Sequence, residues 1–127
     1  MTPTRHAIDW FEIPVSDMDR AAAFYEALLA TTIRRERIEP HTLGVIKYDA
    51  SAVGGCLIQG DDVPAPSTAG TLIYLNAGPS LDVVLSRANE LGAKVLLPKL
   101  ELPRDIGFIA QIVDCEGNRI GLHSPAA

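Results

Sequence analysis

The sequence predicts an α+β domain of two like halves, each running strand, helix, strand, strand, strand. Two observations lead there. An alternating strand at Ile8–Val15 feeds straight into a capped amphipathic helix, and the same order begins again near Thr71. Between them lies GDDVPAPSTAG (Gly60–Gly70), whose Pro, Gly and Asp content marks a connector. The expected boundaries are residues 6–60 for the first module, 60–70 for the connector and 71–124 for the second, within a single domain spanning 1–127.

In the first strand Phe11, Ile13 and Val15 point one way, and Trp10, Glu12 and Pro14 the other. Ser16 is the expected N-cap, with Asp19 three residues on in a capping-box position and Asp17 suited to the positive helix end. Ala21, Phe24, Tyr25 and Leu28 share one helical face and pack on the Phe11/Ile13/Val15 side. Strands at Thr32–Ile38, Leu43–Tyr48 and Gly55–Gln59 complete the module.

The second module opens with Thr71–Ala77, with Leu72, Tyr74 and Asn76 on one face and Ile73, Leu75 and Ala77 on the other. Ser80 caps a helix whose apolar stripe is Leu81, Val84, Leu85, Ala88 and Leu91, and Gly92 ends it. Ala93–Leu97 is a strand stopped by Pro98, and Gly107–Val113 is another. The tight turn DCEGN (Asp114–Asn118) leads into the closing strand Arg119–His123.

Composition narrows the function classes. The 127 residues are 47% hydrophobic and 21% charged, and no apolar run approaches the roughly 20 residues of a membrane span. No uninterrupted apolar leader opens the chain, so the cytoplasm is the expected location. A net charge of −5 speaks against a nucleic-acid partner, which demands clustered Lys and Arg. The basic run Arg34, Arg35, Arg37 is broken by Glu36 and reads as a solvated strand. The two cysteines, Cys56 and Cys115, lack metal-type spacing; Cys56 reads as a small core residue, and the charges flanking Cys115 disfavour a thiolate.

The element order, with DWFEIPVSDMDRAAAFYEALL at the front and DCEGNRIGLHSP at the back, resembles the vicinal oxygen chelate superfamily, which includes glyoxalase I, extradiol dioxygenases and bleomycin-resistance proteins. The resemblance spans essentially the whole chain, with Cys115 where that family's acidic-Gly-Asn turn has Pro. It implies two tandem βαβββ modules whose curved mixed sheet encloses a cleft. It also implies homodimers, in which modules pair within or between chains. In metal-dependent members, a divalent ion held by strands of both modules acts as Lewis acid on a substrate with neighbouring oxygens.

Carried over position by position, the ligand places fall on Trp10, Leu57, Leu72 and Gly121, none of which offers an O or N side-chain donor. The expectation is therefore no metal and no cofactor. Glu12, Gln59 and His123 stand two residues from lost positions and form the alternative, a displaced site. His6 and His41 read as solvent-facing.

The expected ligand-binding face is Trp10, Glu12, Leu57, Gln59, Leu72, Tyr74, Asn76, Gly121 and His123: apolar and aromatic with a few polar groups, and with room left at Gly121. Side chains that merely plug the cleft are the competing reading. Glu12 and His123 are the candidate catalytic residues, as displaced metal donors or as a metal-free acid and base. Glu12 paired with His123 or Arg119 in an ion pair is the structural alternative; Tyr25 reads as packing and Asn118 as a turn stabiliser. The leading functional expectation is a metal-independent protein that binds a small organic molecule. The alternatives are an enzyme of the lyase, isomerase or dioxygenase type, and an interaction module.

Overall fold

The computed structural model describes residues 6–127. The first module comprises β1 (Trp10–Pro14), α1 (Met18–Leu29), β2 (Ile33–Ile38), β3 (His41–Ile46) and β4 (Gly54–Gln59). The second comprises β5 (Tyr74–Asn76), α2 (Leu81–Glu90), β6 (Lys94–Leu102), β7 (Gly107–Val113) and β8 (Arg119–Ser124). Both halves are thus βαβββ. Their strands form two four-stranded mixed sheets, in the orders β1-β4-β3-β2 and β5-β8-β7-β6. In each, the opening strand pairs in parallel with the closing strand and leaves its other edge free. No described helix is long and apolar enough to cross a membrane.

Each helix lies on its own sheet, and the two helices touch each other. Ile13, Val15, Phe24, Leu28 and Leu57 of the first module join Leu75, Leu81, Val84, Ile112 and Leu122 of the second in one apolar core. The helices thus carry the contact between the two sheets, and each sheet has a second face turned away from its own helix.

Local chemistry accounts for departures from the expected elements. The N-cap of α1 is Asp17, whose side chain accepts from the Arg20 amide, and Ser16 is engaged elsewhere. Ser80 caps α2 as expected, accepting from the Val83 amide. Strand β6 does not stop at Pro98 but runs to Leu102. It is an edge strand, and its register slips between Leu97 and Leu100, so a residue lacking an N–H is accommodated there. Strand β5 is shorter than expected and leaves Leu72 in the segment ahead of it.

Candidate ligand-binding site

The nine expected residues fall into three groups. Trp10 and Glu12 occupy the outer face of the first sheet, both exposed, with Trp10 edge-on to Tyr48 at 5.8 Å. Leu57 is not on that face. It pairs with Ile13 in register, and parallel partners share a face, so its fully buried side chain points into the core under α1. Gln59 follows it to the helix side, where Oε1 accepts from the Met18 amide at 3.0 Å and satisfies one free N–H of the first turn of α1.

Tyr74, Asn76, Gly121 and His123 share the outer face of the second sheet. The room expected at Gly121 is taken by Tyr74: a Cβ there would meet the ring at 2.5 Å. The Tyr74 hydroxyl accepts from Gln111 Nε2 at 2.8 Å. His123 Nε2 donates to the Ile106 carbonyl at 2.7 Å, which fixes the ring to a loop.

Glu12 and His123 stand on different sheets, and no ion pair joins them among the described residues. Arg119 lies on β8 and likewise forms no ion pair with Glu12. The donors also do not fit the metal that the resemblance implies. Gln59 serves α1, His123 serves a backbone carbonyl, and no described group of three His, Cys, Asp or Glu side chains could hold an ion. His41 is half-buried rather than solvent-facing, its Nε2 lying 2.6 Å from Asp62 Oδ1. His6 is exposed. Beside Glu12, burial first and the Glu12 charge second push the Cys56 thiol up to about 11. Burial, then Asp114 and Glu116, push Cys115 to about 11 as well.

The two end motifs fasten the modules together. Glu116 Oε1 accepts from the Ser16 amide at 2.5 Å, the Asp17 amide at 2.9 Å and the Ser16 hydroxyl at 3.1 Å, and Oε2 accepts from Arg20 Nε at 2.7 Å. Burial works to raise the Glu116 carboxyl, but these hydrogen bonds outweigh it and its pKa is lowered. Deeper in, the buried Tyr25 hydroxyl donates to Asp114 Oδ2. Burial, then the Asp114 charge, raise the Tyr25 phenol well above its ordinary value. Asn118 Nδ2 donates to the Pro14 carbonyl at 2.8 Å, while its amide nitrogen bonds Asp114 Oδ1 at 2.9 Å. Tyr25 and Asn118 thus do more than pack and turn. Sequence proximity hides such pairs, which lie about a hundred residues apart.

This clamp leaves a groove between the modules of about 970 Å³. It runs along the free edge of β5, so Tyr74 and Asn76 line it together with Leu75 and Ala77. Phe11, Leu29 and Ile46 form the opposite apolar wall, and Val83, Val84 and Arg87 of α2 form the floor. Of the expected residues, Leu72, Tyr74 and Asn76 line it; Trp10, Glu12, Leu57, Gln59, Gly121 and His123 do not. The end of α1, the loop between β3 and β4, and α2 are not marked in the sequence, because their contribution depends on how the modules dock. The apolar lining with scattered polar groups has the makeup of a small-molecule site.

No family model matches the sequence, and no curated protein matches it. Solved structures do match in fold. A glyoxylase/bleomycin resistance protein/dioxygenase domain from Frankia sp. superposes with a TM-score of 0.69 at 19% identity, over 95% of this chain and 98% of that one. TnmS3, an antibiotic binding protein from a Streptomyces species, gives a TM-score of 0.66 at 22% identity, over 98% of this chain and 99% of that one. Glyoxalase I from Zea mays gives 0.64 at 19% identity; 98% of this chain is covered, which spans only 48% of that protein. The chain has the glyoxalase/bleomycin-resistance/dioxygenase fold, built from tandem βαβββ modules.

Proposed function

We propose that this protein binds a small, largely apolar organic molecule in the groove between its modules, and does so without a metal ion. The groove itself carries the reading: about 970 Å³ of concave space walled by Phe11, Leu29, Ile46, Leu75 and Val84, at the upper end of the range that suits a compound of drug size. The donor chemistry supports the metal-free part, since Gln59 and His123 already serve the Met18 amide and the Ile106 carbonyl, and no described group of three His, Cys, Asp or Glu side chains could hold an ion. TnmS3, alike in fold, is described as an antibiotic binding protein, and the same use of the scaffold is proposed here, in the cytosol.

Titration with the neutral dye N-phenyl-1-naphthylamine, whose fluorescence rises in apolar surroundings, tests the reading on chelator-treated protein. Saturable one-site binding is expected, weakened at least about tenfold by Val83→Trp, which fills the groove from α2. Binding that is absent, or indifferent to that substitution, rejects it.

A homodimer belongs to the same proposal. The free edge of β1 and the exposed Trp10 beside it, at 39%, offer a surface to a second copy. Light scattering coupled to size exclusion is expected to give twice the chain mass; a monomer at all concentrations removes this part alone.

A further inference from the structure

We infer that the molecule held in the groove carries an anionic group, a carboxylate or sulfonate, which Arg87 binds while the apolar body lies against Phe11, Leu29, Ile46 and Val84. This rests on the groove being the binding site and adds the chemical class of its ligand.

Three groove residues carry formal charge: Lys47, Arg87 and Asp49. Two cations against one anion make this a cationic hollow on a chain whose net charge is −5. Asp49 is already engaged, accepting from the Ser51 amide at 2.9 Å and the Ser51 hydroxyl at 2.7 Å. Arg20, Arg34, Arg35 and Arg37 each have a carboxylate partner. Arg87 differs. It is half-buried, and among the described residues no carboxylate lies within ion-pair distance of its guanidinium.

Its one recorded side-chain contact is a long bond from Nη1 to the Leu28 carbonyl, 3.4 Å, near the end of α1. That leaves four of the five guanidinium N–H donors without a recorded partner. A half-buried cation with no counter-charge leaves its donors free for an anion that enters the groove. A planar anion meets them through paired N–H···O bonds, which suit guanidinium geometry. Helix capping alone is the competing role, because a cation near the last carbonyls of α1 is favourable in itself.

Two dyes that share one skeleton separate these roles: N-phenyl-1-naphthylamine and its sulfonate, 8-anilinonaphthalene-1-sulfonate. The sulfonate is expected to bind at least about tenfold more tightly, as charge-assisted hydrogen bonds in a partly dry site require. Arg87→Met is expected to remove that difference, so that the ratio of the two dyes' Kd values falls to about one, with Arg87→Lys between. Added salt weakens only the sulfonate, a readout on the native chain that needs no variant. Equal Kd values, or a preference that survives Arg87→Met, overturn the inference while the groove stands as a binding site. If neither dye binds, the groove reading itself has failed.

Discussion

Replacing Glu116 tests whether the clamp between the end motifs holds the modules together. Its side chain is 0% exposed, and it receives two backbone amides of the α1 approach, from Ser16 and Asp17. A hydrogen bond to a charged group contributes about 1.5–3 kcal/mol, and an amide left buried without an acceptor forfeits a similar amount. Water reaching these amides in the truncated site offsets part of that loss, so Glu116→Ala is expected to cost about 3 kcal/mol. The Arg20 contact adds little, since that guanidinium is half in water. Glu116→Gln keeps one acceptor but not the charge and is expected to cost about half as much. Urea denaturation followed by circular dichroism measures both. The pH dependence has a definite sign. The folded-state pKa of Glu116 lies below its ordinary value of 4.5, so its contribution is complete above that value and is lost as pH falls through the lower, folded pKa. The gap between the native chain and Glu116→Gln should therefore close on acidification. An alanine variant within about 0.5 kcal/mol of the native chain at neutral pH refutes the clamp.

Other consequences follow from single residues. Gly121→Ala is expected to cost about 1–3 kcal/mol, because the new methyl meets the Tyr74 ring at 2.5 Å; the loss should shrink in a Tyr74→Ala background, as a double-mutant cycle would measure. With thiols raised to about 11, Cys56 and Cys115 should resist iodoacetamide at pH 8 in the folded protein and react on unfolding, as mass spectrometry would register. Leu57→Ala should cost about 3 kcal/mol in urea denaturation, the price of a cavity under α1 rather than of an emptied ligand face.

Much of the fold was legible because alternation and capping are local. Phe11, Ile13 and Val15 face α1 as their spacing implies, and Ser80 caps α2. Strand β4 was harder to read. Gly54–Ile58 is buried on both faces, with Cys56 and Ile58 in a small cluster beside Val45, so nothing in GGCLIQ says which way Leu57 points. Ser16 failed as a cap because Glu116, a hundred residues away, claims its amide and hydroxyl. The site was the least legible part. Glu12 and His123 sit two residues from the ligand positions that the resemblance implies, but how the two modules dock is set by helix packing and the clamp, and neither leaves a local pattern.

A crystal structure of the chelator-treated protein with N-phenyl-1-naphthylamine would show where the molecule binds. The dye is expected in the groove, its rings between Phe11 and Ile46 on one side and Val84 on the other. A saturating dye found on an outer sheet face, with the groove filled by protein side chains, would contradict it.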